Sequence, residues 1–436
     1  MTMTEHIRPE DSIRTASRPT DLRITDMRTA TVGWDGWRFT LIRIDTNQGI
    51  SGYGEVRDGA SKLYALMLKS RILGENPCNV DKLFRKIKQF GHHGRQGGGV
   101  CAVEMALMDL AGKAYGVPAY MLAGGKFRSQ IRMYCDTPNE PDGTAMGHKL
   151  ARRLERGFTM LKMDVGIESL LGVPGALSWP LGMLPGETAV DPQAPNLRHL
   201  MHPFTHVRLT EKGIDLLCDY VAQVRSVIGD AVPLAVDHFG HIGIDDCLRL
   251  GQRLESYNLA WLEDMVPWQY TDQWVQLERA LRTPVCTGED IYLLDGVRPL
   301  LEAHAVNVIH PDLATSGGIL ETKKIGDLAQ THGVSMALHM AGTPISTMAS
   351  VHCAAATENF IALEHHFTDV PFWNDFITGV PNPIIQNGYI AVPEVPGLGF
   401  ELNEEAVAAH LRPDEPGLFE PTPEWDEARS WDRLWS

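Results

Sequence analysis

The chain has 436 residues, with 55 acidic against 39 basic side chains and a formal charge of −16. That balance argues against a nucleic-acid partner, which needs a basic face, and leaves an anionic substrate to be held by a local cation. No apolar run of about 18 residues is present, so no membrane span is expected.

The length suits one large barrel with a second domain. Residues 1–21 lack an apolar stretch and read as a flexible N-terminal tail, not a secretory signal. Cys78, Cys101, Cys135, Cys218, Cys247, Cys286 and Cys353 are scattered, odd in number and form no CxxC. This usage predicts reduced thiols in a cytoplasmic protein and disfavours a zinc site or a disulfide frame.

Residues 22–56 alternate apolar and polar positions around the turn NQG, the pattern of an antiparallel sheet. KLYALMLKSRIL and VDKLFRKIKQF then show helical spacing. Together, residues 22–130 read as an α+β domain. Within it, GHHGRQGGGV reads as a mobile loop over a neighbouring site, with Arg95 a candidate substrate-carboxylate contact. The following AVEMALMDLAGKAY offers a small-residue face on which a helix packs closely.

From 131 to 366 the chain repeats a strand and a helix. IRMYCDT is the first strand, and GFTMLKMDVG carries the second, ending at Lys162 and Asp164. The period of two puts both side chains on one side. Residues 168–209 are rich in Gly and Pro and follow a strand, so they read as a lid or substrate-shaping insertion. The rhythm then resumes with AVDHFGH, AWLEDMVPW and PVCTGEDIY, three apolar runs that each end on an acid. These acids are Asp237, Glu263 and Glu289, and 26 residues separate each from the next. One βα unit takes roughly that length. Later strands end at Asp312, His339 and Glu364, at intervals of 23, 27 and 25 residues. Such regularity predicts a (β/α)8-type barrel with a site on its C-terminal rim. Residues 367–436 are rich in Pro and Trp and are expected to pack back on the first domain.

Three carboxylates on one rim suit a hard divalent ion, above all Mg2+. Such an ion binds a substrate carboxylate and stabilises the enediolate left when the neighbouring proton departs. His339 and Lys162 are the candidate bases. Asp312, on the adjacent strand, would fix the tautomer of His339. Lys162 reads equally well as an ion-pair partner of a ligand carboxylate. Glu364 either bonds a substrate oxygen or caps the barrel mouth.

These residues resemble the enolase superfamily, in particular its mandelate racemase subgroup. The likeness rests on AVEMALMDLAGKAYGVPAYMLAGG, Lys162 in KMD, Asp237, Glu263 in WLEDMVPW, Glu289 in TGED, Asp312 in HPDLATSGGI, His339 in ALHMAGTPIS, and Glu364. It implies a modified TIM barrel, (β/α)7β, with an α+β N-terminal capping domain. It also implies Mg2+ held by Asp237, Glu263 and Glu289, and proton abstraction alpha to a carboxylate. His339, paired with Asp312, would be acid or base, and Glu364 would bond the substrate near its carboxylate. A dimer or an assembly of dimers is implied as well.

Two departures shape the expected reaction. Where the family commonly has KxK on the second strand, this chain has Lys162-Met163-Asp164. A racemase needs two bases on opposite faces, whereas one His can serve a syn elimination. That favours dehydration of a sugar acid (aldonate or aldarate) to a 2-keto-3-deoxy acid, with a racemase, epimerase or cycloisomerase as the alternative. Some related dehydratases carry DxH after the first metal ligand, where this chain has DHFGH. His238 would face away by strand parity. His241, in the following loop, is a displaced substrate-binding candidate beside Asp164 and Arg95.

Overall fold

Three antiparallel strands open the chain in the computed structural model, which describes residues 17–92, 94–178, 203–237, 239 and 242–428. They are β1 (Ile24–Val32), β2 (Phe39–Thr46) and β3 (Ser51–Val56), paired in that order. Gly49 turns the β2–β3 hairpin with a φ of 75°, a conformation other residues adopt only under strain. A long helix, α1 (Gly94–Tyr115), packs against this sheet.

Residues 94–99 correct the expectation of a mobile loop, because they are the opening turns of α1. Glycine is a poor helix former, so a tertiary contact must outweigh propensity here. A Cβ on Gly98 would lie 2.7 Å from the backbone nitrogen of Arg57, and one on Gly99 only 2.0 Å from the carbonyl oxygen of Tyr64. Gly98 and Gly99 let the helix backbone press onto the chain that leaves β3, while Gly97 makes room for the ring of Tyr292.

The barrel follows as β4 (Gln130–Asp136), β5 (Leu161–Asp164), β6 (Leu234–Asp237), β7 (Leu262–Glu263), β8 (Val285–Thr287), β9 (Val308–Ile309), β10 (Ser335–Leu338) and β11 (Phe360–His365). Neighbours pair in parallel, and β11 closes the ring on β4 through Leu363 and Met133. Between them run α2 (Gly143–Glu155), α3 (Glu211–Ile228), α4 (Ile244–Leu254), α5 (Thr271–Ala280), α6 (Leu293–Glu302), α7 (Gly318–Thr331) and α8 (Pro344–Ala356). This is the (β/α)7β order. Helix starts follow the sequence: Asp142 caps α2 through the amide of Ala145, and Thr210 caps α3 through Gly213.

The C-terminal stretch touches both parts. Tyr389–Ala391 adds an antiparallel strand to β4, while the amide of Arg412 donates to the carbonyl of Thr31 at 2.9 Å. Residues 1–16, residues 179–202 of the insertion, and His238 and His241 lie outside the described residues.

Candidate active site

The site is one rung of the barrel's two-residue alternation. Tyr134, Ala235, Trp261, Cys286, Val308, Ala337 and Ala362 form a buried layer inside the ring. Two positions further along the same strands come Asp136, Asp237, Glu263, Gly288, His310, His339 and Glu364. The alternation turns them to the same interior, above that layer. Lys162 follows Met160 in the same way.

Glu289 is one residue out of step. Gly288 takes the rung with a φ of 148°, and a Cβ there would lie 2.9 Å from the backbone nitrogen of His310. The glycine lets the backbone turn beside His310, and the Glu289 side chain enters from the next position. Asp237, Glu263 and Glu289 then bring carboxylate oxygens within 4.8 Å of one another. A six-coordinate magnesium about 2.1 Å from each ligand spaces its oxygens roughly 3–4 Å apart. The all-oxygen donor set therefore fits a hard divalent cation.

The cup is braced from below. Trp261 donates its indole N–H to Oε2 of Glu263 at 2.6 Å. Tyr134 donates its hydroxyl to Oε2 of Glu364 at 2.8 Å. The two rings meet edge to face, with centroids 5.6 Å apart.

Cations thread the carboxylates. Nζ of Lys162 lies 2.7 Å from Oδ2 of Asp237, 2.7 Å from Oε1 of Glu263 and 3.0 Å from Oε1 of Glu364. Burial opposes its charge, but these three acids outweigh burial and hold its pKa well above the ordinary lysine value. His310 bridges Glu263 at 3.0 Å and Glu364 at 3.3 Å. Burial lowers its pKa, and the two acids more than offset that, raising it to about 10. Glu263 is in turn drawn down to about 2 against its own burial, chiefly by His310 and Lys162.

On the opposite rim, Nδ1 of His339 lies 2.6 Å from Oδ2 of Asp312. Asp312 is aimed by its backbone role, since its Oδ1 accepts from the amide of Ala314 at 2.6 Å and caps the short helix Leu313–Ser316. Nε2 of His339 faces inward, 3.1 Å from Oε2 of Glu289. Arg57, buried at the end of β3, reaches in from the capping sheet. It bonds Oδ2 of Asp312, meets Oε1 of Glu289 at 3.2 Å and pairs with Asp58 at 3.0 Å. Burial weakens that guanidinium's charge, but Asp312, Asp58 and Glu289 together raise its pKa further.

Lys162, Asp237, Glu263, Glu289, Asp312, His339 and Glu364 are thus brought together. Asp164 is half-buried and stands in register with Asp237 at the end of the neighbouring strand. Arg95 is set apart: it donates to Asp58 at 2.7 Å, and Asp58 pairs with Arg57. The candidate His241 lies outside the described residues. Arg57, His310, His366 and Asp136 join the site without having been picked out from the sequence. For His310, His366 and Asp136 the signal was strand parity, as the step from Val308 to His310 shows. Arg57 had no such signal.

Two family models match the chain. The mandelate racemase / muconate lactonizing enzyme N-terminal domain covers residues 12–124, and the enolase C-terminal domain-like family covers residues 145–406. D-xylonate dehydratase of Haloferax volcanii is 35% identical over 402 residues, spanning 90% of this chain and 89% of that protein. D-galactonate dehydratase of Verminephrobacter eiseniae is 26% identical over 388 residues, spanning 86% and 91%. The crystal structure of a mandelate racemase/muconate lactonizing enzyme-like protein from Rubrobacter xylanophilus matches with a TM-score of 0.78 at 29% identity, covering 91% of this chain and 99% of that one. The chain belongs to the enolase superfamily. Its N-terminal match places it in the mandelate racemase and muconate lactonizing enzyme group. Among the described residues, no helix is long and apolar enough to cross a membrane.

Proposed function

We propose that this chain dehydrates a sugar acid, an aldonate or aldarate, to a 2-keto-3-deoxy acid with Mg2+ in the carboxylate cup. It is a carbon–oxygen lyase of the enolase superfamily. One observation carries the finer reading: a three-carboxylate cup faces a His339–Asp312 dyad across a gap of 3.1 Å at Glu289.

In this reading Asp237, Glu263 and Glu289 hold the cation. When bound, a divalent cation offsets the charge that grows on a substrate carboxylate as its neighbouring C–H bond ionises. His339 takes the alpha proton at Nε2 in the tautomer whose Nδ1–H is held by Asp312; Arg57, with Nη1 2.8 Å from the same Nδ1, then pairs with Asp312 and does not donate to the ring. Lys162 has an acceptor for each of its three N–H groups, which supports a charge-balancing role over that of a base. Glu364, fixed by Tyr134, is placed to bond a substrate oxygen. Asp164 and His241 remain substrate-binding candidates, and Arg95 acts through Asp58 on Arg57.

Dehydration is favoured over racemisation because Asp164 stands where a second base would be needed. We also place the enzyme in the cytoplasm as a homo-oligomer. Its seven free thiols support the first point, and sedimentation tests the second. The decisive test is a panel of aldonates and aldarates, xylonate and galactonate included, assayed for 2-keto acid with the magnesium-loaded enzyme. Keto-acid formation from at least one is expected, and silence across the panel overturns the reading.

A further inference from the structure

A second histidine–carboxylate dyad stands beside the first. His366 follows Glu364 by two residues, so it continues the inward face of β11 beyond the strand's end. Its Nδ1 lies 3.2 Å from Oδ2 of Asp136, at the end of β4. Its Nε2 lies 3.3 Å from Oε1 of Glu364 but has no aligned hydrogen bond, and that nitrogen is buried. An unsatisfied buried N–H calls for a partner. Trp37, from the β1–β2 turn, covers the ring with centroids 6.3 Å apart. The His339 ring lies 5.5 Å away, close enough for two imidazoles to serve neighbouring carbons of one substrate.

We infer that His366, oriented by Asp136, is the acid that protonates the departing hydroxyl, while His339 is the base. This rests on the dehydratase reading above and assigns a second proton to it. The C2–H bond breaks and its proton goes to Nε2 of His339. The C3–O bond then breaks as a C2–C3 double bond forms, and the Nε2 proton of His366 moves to the leaving oxygen to give water. The enol ketonises, and both imidazoles return to their starting states by exchange with solvent. His339 enters as a neutral imidazole and His366 as an imidazolium held between Asp136 and Glu364, so each partner makes one proton transfer and no single His acts twice.

The test uses the magnesium-loaded enzyme with whichever sugar acid it dehydrates. His366→Asn is expected to slow keto-acid formation by about 100-fold or more, the usual worth of a positioned acid. Exchange of the alpha proton with solvent deuterium should survive in this variant and vanish in His339→Asn. A 3-deoxy-3-fluoro analogue, whose leaving group needs less protonation, should react with His366→Asn at close to the wild-type rate. His366→Gln, with thermal melting of each variant, separates chemistry from misfolding. A His366→Asn enzyme that dehydrates as fast as wild type, or that loses exchange together with dehydration, overturns the assignment of His366 alone. A wild-type enzyme that forms keto acid from nothing in the panel overturns the parent reading, and this inference with it.

Discussion

Arg57 leaves the capping sheet and bonds Asp312, the carboxylate that also holds Nδ1 of His339. The two residues are 255 positions apart in the chain. The same guanidinium reaches Glu289 of the cup. One buried cation therefore sets the charge around both the proposed base and the proposed metal ligands. Removing one partner of such a buried pair costs about 3–5 kcal/mol.

Arg57→Gln is accordingly expected to lower kcat/KM by roughly 100-fold or more and to lower the melting temperature. Arg57→Lys should rescue little, because an ammonium cannot present a planar fork to three carboxylates. Steady-state kinetics beside thermal melts decide this. An Arg57→Lys enzyme with wild-type kcat/KM would show that the bridge is dispensable.

Metal binding should track the cup. Asp237→Asn and Glu289→Gln are expected to weaken magnesium binding in calorimetry. Trp261→Phe, which removes only the indole donor to Glu263, should cost about 10–100-fold, the usual worth of a group that orients a ligand. Chelation should lower the melting temperature and magnesium should restore it, since an ion at 100 times its Kd adds about 2.7 kcal/mol. A melting curve indifferent to both EDTA and magnesium would count against the cup.

Two buried acids away from the cup give a pH signature. Glu104, on α1, accepts from the amides of Ile319 and Leu320 at 2.6 and 3.0 Å. Glu55 accepts from those of Thr343 and Ser346 at 2.9 and 3.2 Å. Burial pushes Glu104 up to about 8 and Glu55 up to about 7. Each holds its proton more tightly folded than unfolded. Their stabilisation is thus complete below about 4.5 and is lost as pH rises through 7 and then 8. The denaturant midpoint should fall across that window, and less steeply in Glu104→Gln than in wild type. Equal slopes in the two proteins would refute the assignment.

Gly99→Ala tests why the glycine run is helical. Its Cβ would meet the Tyr64 carbonyl oxygen at 2.0 Å, so the helix must shift. A loss of about 1–3 kcal/mol is expected, the usual range for overpacking. Substitution of a mobile loop glycine would cost almost nothing. Urea titration distinguishes the two.

Much of the cup was legible because barrel geometry is periodic. Equal spacing of Asp237, Glu263 and Glu289 carried the rim, and the dyad of His339 with Asp312 followed from neighbouring strands. His310 was legible by the same parity, yet Asp312, two residues on, drew the role. His366 was hidden behind Glu364 for a similar reason. Arg57 left no trace, since its partners in the site, Asp312 and Glu289, lie far along the chain and no spacing rule joins a capping sheet to a barrel. The glycine run misled because propensity is local, whereas the contacts of Gly98 and Gly99 with Arg57 and Tyr64 are tertiary.

The packed layer of Tyr134, Trp261 and their neighbours separates foundation from business end. Reactive groups ride one step above a filled floor, to which Glu263 and Glu364 are tied through Trp261 and Tyr134. A side chain exchanged at 164 or 366 therefore spares that floor, while a change at Trp261 reaches Glu263 and through it the carboxylate cup.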